Sequence, residues 1–167
     1  MNESEGTSNP SVKALIVFRE NGDTDNLFVP ILCDAIRMDG IDVRCSIKEF
    51  WDSNTAYDII HFQWPEEVIG WTCSDPDTIR RLEERIRFFR VTRFIYTRHN
   101  VRPHYANKII SRAYDIIESQ SDIVVHMGRF SHDEFLTKYP GSQNVVIPHH
   151  IYQYTYKEDI SVERARQ

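Results

Sequence analysis

Histidines accompany three apolar runs of this chain, at the points where the runs give way to polar residues. They are His61 in the run 57–63, His99 and His104 after the run 93–97, and His149 after the run 144–147. In an open α/β sheet, ligands bind in the crevice outside the carboxyl ends of the parallel strands. An imidazole placed there hydrogen-bonds a sugar hydroxyl or acts as a general base, because its pKa lies near neutrality. The pattern predicts a polar ligand site along one edge of a parallel sheet.

The densest group of polar side chains follows the middle run. Arg98 carries a planar set of donors suited to phosphate or carboxylate, and His99 and Asn100 stand where the chain leaves the predicted sheet. We expect these side chains and His104 to project into the crevice. An asparagine-capped turn, with Pro103 opening a helix that carries His104 in its first turn, accounts for the same residues. The two interpretations are compatible.

Trp64 directly follows the run that contains His61. Its indole is suited to stacking on the apolar face of a sugar ring, and His61 is suited to bonding a sugar hydroxyl. The structural alternative makes Trp64 part of the core and His61 a buried residue with satisfied hydrogen bonds. Taken alone, these two residues favour the structural alternative. The adjacent Glu66 and Glu67 are typical of a solvated loop, although either is able to act as an acid or base.

Three further side chains are candidate ligand contacts. Asn21 lies in a turn-rich loop after the first strand, and His149 follows the last strand. Arg129 lies between the strand 123–126 and the next helix, whose N-terminus is suited to an anion. Ser131 is the predicted cap of that helix.

The histidine spacing does not favour a metal centre. His99 and His104 are five residues apart, no HExxH occurs, and no cysteine or carboxylate ligands accompany them locally. We therefore predict no metal site, with a metal-dependent hydrolase built on the histidines as an alternative. The sequence also lacks GxGxxG, GxxxxGK[ST] and GxSxG, the fingerprints of dinucleotide sites, P-loops and many hydrolases.

Apolar runs and amphipathic stretches alternate about six times, which is typical of parallel strands joined by helices. The predicted strands are 12–18, 41–47, 57–63, 94–96, 123–126 and 145–147. The predicted helices run from 24 or 25 to about 38, from about 75 to 89, 105–119 and 131–139. Residues 48–56 are expected to form a connector and residues 64–74 an irregular segment. The fold class is α/β, a Rossmann-like three-layer sandwich with a mostly parallel sheet.

Composition supports one globular domain of 167 residues, with 41% hydrophobic residues and a net charge of −5. The acidic balance disfavours nucleic acid as a partner. Three cysteines without a CxxC motif argue against a disulfide framework and favour a cytoplasmic location. Arginines crowd residues 80–102, either as a solvated helix or as a face for peripheral contact with an anionic membrane. Residues 1–11 are expected to be a disordered lead-in.

Four motifs in order resemble the N-terminal half of GT-B retaining glycosyltransferases, the bacterial group 1 (family 4) type that builds surface polysaccharide. They are DIIHFQWPEE (58–67), YTRHNVRPHY (96–105), SDIVVHMGRFS (121–131) and VIPHHIY (146–152). The resemblance implies transfer of a sugar from a nucleotide-sugar to a glycan or lipid-linked acceptor, without a cofactor. It implies that His99 is catalytic and faces the donor sugar. It places His61, Trp64, Asn100 and His104 on the acceptor side.

The resemblance also implies a domain arrangement. Residues 12–157 would be the acceptor-side domain, and residues 158–167 the start of a linker to a C-terminal donor-binding domain that this chain lacks. By itself the chain is then expected to have little or no transferase activity, and to lie in the cytoplasm or at the inner membrane face. Two positions depart from the family: the first loop offers one glycine, Gly22, and His150 replaces the glycine of a Pro-His-Gly motif.

A non-catalytic, flavodoxin-like binding or regulatory module is the alternative function. A receiver-type module needs an acidic cluster after the first strand and an aspartate at the end of the third. Glu20 and Asp23 are present, but the third strand ends in His-Phe-Gln. The receiver version of this alternative is therefore weak.

Overall fold

The computed structural model describes residues 12–20, 27–105 and 107–150, which form an α/β domain. Its strands are β1 (Lys13–Val17), β2 (Asp42–Cys45), β3 (Ile59–Phe62), β4 (Arg93–Arg98), β5 (Ile123–His126) and β6 (Gln143–Val146). Its helices are α1 (Phe28–Met38), α2 (Ile47–Asp52), α3 (Pro65–Ile69), α4 (Asp77–Phe88), α5 (Lys108–Gln120) and α6 (Arg129–Lys138). The predicted lead-in, the predicted linker 158–167 and Asn21 lie outside the described residues.

All six strands are parallel, in the order β2-β1-β3-β4-β5-β6. The chain moves outward from β1 to β2, returns across β1 to β3, and then continues outward in the other direction. The reversal between β1 and β3 is a topological switch point, where open α/β sheets form a crevice. The prediction of a Rossmann-like α/β sandwich is confirmed.

Alternation along β1 explains why the sheet is covered on both faces. Leu15 and Val17 point into the larger core, which packs under α2 to α6, whereas Ala14 and Ile16 point into a smaller core under α1. All four side chains are nearly inaccessible to solvent. A central parallel strand is buried on both faces and therefore reads as a continuous apolar run.

Local signals set the helix ends. Asn107 caps α5, accepting a hydrogen bond from the Ile109 amide at 2.7 Å, and Ser46 caps α2 through the Glu49 amide at 2.9 Å. Helix α6 begins at Arg129 with Gly128 as its N-cap, two residues before the predicted start at Ser131. Ser131 therefore lies inside the first turn.

Two short helices occupy stretches that were expected to be irregular. Helix α2 occupies the first part of the predicted connector 48–56 and begins one residue before it, at Ile47, whereas α3 falls within the predicted irregular segment 64–74. Both are too short for hydrophobic periodicity to be visible in the sequence. They matter for the site because α3 begins directly after β3 and holds two buried carboxylates.

The face of the sheet that carries α1 is unevenly covered. Helix α1 packs over β1 and β2, while apolar side chains toward the β6 edge remain accessible, including Ile123 at 37%, Val145 at 39% and Ile147 at 53%. Among the described helices, none combines the length and the apolar character needed to cross a bilayer.

Candidate functional site

Two of the predicted histidines meet at the carboxyl ends of β3 and β4, beside the switch point. The His61 Nε2 atom lies 2.8 Å from the Thr97 hydroxyl of β4. The His99 Nε2 atom lies 2.8 Å from Oε1 of Gln63, which directly follows β3. Two side-chain hydrogen bonds therefore link the neighbouring strands β3 and β4 at their carboxyl ends. In one the histidine comes from β3, and in the other it comes from the residue after β4.

Aromatic rings hold His99 on two sides. Its imidazole stacks on Trp64 with ring centres 3.8 Å apart and an angle of 15° between the planes. The ring of Phe28, the first residue of α1, meets it edge-on at 4.8 Å. Phe28 also contacts the rings of His149 at 5.0 Å and His150 at 4.7 Å. We call the side chains of Phe28, His61, Gln63, Trp64, Thr97, His99, His149 and His150 the switch-point cluster.

The imidazoles at the centre of this cluster are neutral at physiological pH. Burial lowers the pKa of His61 to about 4. Burial, reinforced by repulsion from His61 and His149, lowers the pKa of His99 to about 3. Burial also lowers the pKa of His150. A neutral imidazole has one donor and one acceptor nitrogen, so it is matched to a hydroxyl group, which is both.

Gln63 determines how His99 is presented. Because its Oε1 atom accepts from His99 Nε2, the other ring nitrogen, Nδ1, is left as the acceptor. Gln63 is fully buried, and its Nε2 atom has no hydrogen-bond partner among the described residues. Buried amide donors are nearly always paired with protein, water or ligand. Among the described residues, Gln63 nevertheless keeps one amide donor free while its oxygen holds His99.

A cavity of about 280 Å³ opens between α1 and the sheet next to these histidines. Its wall is mostly apolar, with contributions from Leu32 of α1, Val125 of β5 and Ile147 after β6. The bonded pair of His61 and Thr97 is also part of the wall. Apolar walls with a few placed polar groups are typical of small-molecule sites.

Asn100 and His104 form a second group, attached to Glu66 of α3. The Glu66 carboxylate is inaccessible to solvent, and its Oε1 atom accepts from the His104 amide at 3.0 Å. Its Oε2 atom accepts from the Tyr114 hydroxyl at 2.8 Å. The Asn100 amide reaches the His104 ring at 3.3 Å. Glu66 therefore fixes the loop that follows β4, which was expected to be positioned by its own turn residues.

The neighbouring Glu67 is also buried and paired. Arg19, just beyond β1, contacts both of its carboxylate oxygens at 2.7 Å, and the Trp71 indole also donates to it. The sequence indicated two solvated loop carboxylates here. In the folded chain both carboxylates are buried instead. Glu66 connects α3 to the loop after β4, and Glu67 connects α3 to the end of β1.

Arg98 does not face the crevice. Its side chain is 2% exposed and pairs with Glu118 at 3.0 Å and Glu134 at 2.6 Å. It also donates to the Ser131 carbonyl at 3.1 Å and lies over the Phe135 ring. The expectation that it binds a phosphate or carboxylate of a ligand thus gives way to a structural role between α5 and α6. Alternation explains it: Arg98 lies one residue from Thr97, so it points to the opposite face.

The other predicted residues are placed as follows. Trp64 is 8% exposed, and one face of its ring is covered by His99, so it supports that imidazole rather than offering this face to a sugar. Arg129 is exposed in the first turn of α6, following β5 and therefore two strands away from β3. His149 joins the cluster through Phe28. In the described part of the chain, no three His, Cys, Asp or Glu side chains are grouped to hold a metal ion.

Sequence reasoning did not select Phe28, Gln63 or Thr97 as site residues. Gln63 had a visible signal, since it ends the same apolar run, 57–63, that contains His61. Phe28 had none, because only the folded path of α1 brings it to the β4 end. Comparison with known proteins adds no assignment: no protein-family model matches the chain, and no curated protein is significantly similar to it.

Proposed function

We propose that this chain is the acceptor-side domain of a retaining glycosyltransferase of the GT-B type. The enzyme would transfer a sugar from a nucleotide-sugar to a hydroxyl of a glycan or lipid-linked acceptor. Two lines support the proposal: the order of the four motifs along the chain, and a crevice at the β1–β3 switch point that is lined by residues from three of those motifs.

The observation that carries the proposal is the neutral state of His61 and His99. Both pKa values are lowered far below neutrality, and the two side chains lie among aromatic rings and amides. A site without formal charge recognises polyhydroxyl compounds through directional hydrogen bonds and ring contacts. It is poorly suited to an anion, which favours arginine, lysine or a metal ion. Sugars are the abundant metabolites with that chemistry.

The proposal assigns each of these side chains a contact with the donor sugar or with the acceptor. His99, held by Gln63 and Trp64, would accept a hydrogen bond at Nδ1 from a sugar hydroxyl near the reacting carbon. His61 would bond the acceptor, and Asn100 and His104 would contact its outer parts. The apolar cavity against α1 would take the hydrocarbon portion of a lipid-linked acceptor. Arg98 has no ligand role in this proposal because its donors are used within the fold.

The test uses the longest protein encoded by the gene, incubated with a panel of nucleotide-sugars and with glycan or polyprenyl-phosphate acceptors. Release of nucleoside diphosphate is measured. His99→Asn should lower kcat/KM by about 10-fold, as expected when one neutral hydrogen bond to the reacting sugar is lost. His132→Asn, a histidine change on α6 outside the cluster, is the matched control. Turnover that is insensitive to His99→Asn, or absent with every donor, would refute the proposal.

A flavodoxin-like binding module is the second candidate, and the strand order favours it. The order 2-1-3-4-5 is that of flavodoxin-like proteins, in which the ligand also lies at the β1/β3 switch point. Calorimetric titration of this chain with flavin mononucleotide and with free mononucleotides separates the two functions. Tight binding of a phosphate-bearing nucleotide, without turnover in the transfer assay, would favour the binding module.

A further inference from the structure

Three aromatic side chains meet on the loops that follow α3 and β4, beside the switch-point cluster. Trp71 comes shortly after α3 and is partly exposed. The His104 side chain is 47% exposed, and Tyr105 is 50% exposed. The ring centre of Trp71 lies 5.3 Å from that of His104 and 6.5 Å from that of Tyr105. We call the side chains of these three residues the outer platform.

Two buried carboxylates of α3 hold the outer platform in place. The Trp71 indole donates to Glu67, whose two oxygens also bind Arg19 at 2.7 Å. The Glu66 Oε1 atom accepts from the His104 amide at 3.0 Å and lies 3.3 Å from Nδ1 of the His104 ring. Removing two carboxylates from water is costly, and here their hydrogen bonds fix side chains that remain partly exposed. Rings that are fixed before a ligand arrives lose little entropy when it binds.

The outer platform is continuous with the residues proposed to face the reacting sugar. Asn100 directly follows His99, and its amide nitrogen lies 3.3 Å from Nδ1 of His104. On the other side, His99 stacks on Trp64, the N-cap of α3. A chain of neighbouring side chains therefore leads from the switch-point cluster outward along the carboxyl edge of the sheet.

The outer platform combines ring faces with hydrogen-bonding groups at its rim, namely the Asn100 amide, the His104 imidazole and the Tyr105 hydroxyl. A pyranose ring has the same two properties, an apolar face of C–H groups and a rim of hydroxyls. Aromatic side chains with a polar tip are well suited to surfaces of that kind. The match extends beyond a single sugar, because the switch-point cluster already supplies contacts for the first one.

We propose that the outer platform is the subsite for the second sugar of an oligosaccharide acceptor. Of the two acceptor classes, a glycan and a lipid-linked acceptor, this inference selects one in which at least two linked sugars lie on this domain. The first sugar lies against His61 and His99, and the second lies over Trp71 and Tyr105. The inference rests on the proposed function for the reaction, but binding of the oligosaccharide is measured without any transfer.

The experiment uses this chain labelled with nitrogen-15 and follows the indole N–H signals of its three tryptophans. The probes are α- and β-linked oligomers of glucose, galactose and mannose that contain one to four sugars. We expect the Trp71 signal to shift with at least one series, and its disaccharide and longer members to have a Kd about 10-fold lower than the monosaccharide. The Trp51 indole donates to the Val68 carbonyl at 3.0 Å, away from the outer platform, so its signal should stay in place.

Substitution of the rings separates a sugar subsite from a structural role. Trp71→Leu and Tyr105→Leu should abolish the preference for longer oligomers and leave the Kd of the monosaccharide unchanged, whereas Trp71→Phe should keep most of the preference. Because Trp71 also packs against the smaller core, the exposed Tyr105→Leu keeps the test independent of a folding defect. Phe88→Leu is the matched control, since Phe88 is also 50% exposed but ends α4, before the amino end of β4. It should bind every oligomer as the wild type does.

The inference is overturned if no oligomer shifts the Trp71 signal, if all chain lengths bind equally, or if Tyr105→Leu and Phe88→Leu bind alike. A Trp71 shift with free mononucleotides but with none of the sugars also overturns it. The transfer assay distinguishes this failure from that of the proposed function. Transfer that depends on His99 but not on acceptor length overturns the subsite alone. Length-dependent binding without transfer by the longest gene product supports the subsite and refutes the proposed reaction.

Discussion

The acid sensitivity of the fold tests the physical state of the switch-point cluster. His99 has a pKa of about 3 in the folded chain, whereas an unfolded histidine titrates near 6.5. The unfolded chain therefore binds a proton between these two values that the folded chain does not bind. By linkage, the free energy of unfolding falls as the pH falls from the unfolded value toward the folded one, and it is constant above about pH 7.5.

The size of the effect follows from the two pKa values. Between pH 7.5 and pH 5, the protonation of His99 on unfolding lowers the free energy of unfolding by about 2 kcal/mol. His61, with a pKa of about 4 in the folded chain, adds about 2 kcal/mol over the same interval. Stopping at pH 5 keeps most carboxylates ionised, so that the histidines dominate the slope.

His99→Asn should remove its share of this slope. The wild type and the variant are unfolded with urea at pH 7.5, 6.5, 5.5 and 5.0, with tryptophan fluorescence as the signal. The variant should lose about 2 kcal/mol less than the wild type between the first and last pH. The comparison uses the change in the free energy of unfolding with pH. The absolute free energy of unfolding of the variant is not compared, because the new side chain also changes contacts with Gln63 and Trp64.

Ile110→Val is the control, since Ile110 is fully buried in the larger core and does not titrate. It should lower the free energy of unfolding by about 1 kcal/mol at every pH, leaving the slope as in the wild type. If His99→Asn and the wild type have parallel pH profiles, His99 is not a neutral buried imidazole. The reasoning that links it to a sugar hydroxyl would then fail as well.

Two further predictions concern buried charges away from the imidazoles. Arg98→Ala should lower the free energy of unfolding by about 3 kcal/mol, because Glu118 stays buried with only Lys138 as a partner; the exposed Arg129→Ala should change it by less than about 0.5 kcal/mol. Equal and small effects in urea denaturation would contradict the structural role of Arg98. Glu66→Gln should cost about 1–3 kcal/mol, because one buried acceptor oxygen becomes a donor group. Hydrogen–deuterium exchange at the His104 amide should accelerate, and unchanged protection there would show that Glu66 does not hold the loop.

The sequence predicted the sheet well because its central strands, such as β1, are buried on both faces. Such strands read as short apolar runs, and all six predicted runs agree with the observed strands to within two residues at each end. The last strand, Gln143–Val146, was found from its apolar end although it is an exposed edge strand with a weaker pattern. Helices α2 and α3 were missed because one to two turns carry no readable periodicity.

The site was harder to predict because strand alternation decides which polar residues face the crevice. Thr97, Arg98 and His99 are consecutive, yet His99 joins the cluster and Arg98 points into the layer between α5 and α6. A shift of one residue in the assumed register exchanges these roles. Phe28 could not be selected, because its contact with His99 depends on the packing of α1 over the sheet.

The placement of Arg98 also bears on the kind of ligand that the crevice is able to bind. Arg98 was the cation expected to meet a phosphate, and in the folded chain it neutralises Glu118 and Glu134 instead. Arg19, which does lie at the β1 end, is held on both oxygens of Glu67. Among the described residues, the crevice at the switch point is therefore left with imidazoles, amides and rings. A diphosphate would have to find its cations on another surface, as it would if the donor is bound by a facing domain and this one receives the acceptor. Titration with flavin mononucleotide examines the same point, because tight binding of its phosphate would show that the crevice accepts an anion without a free arginine.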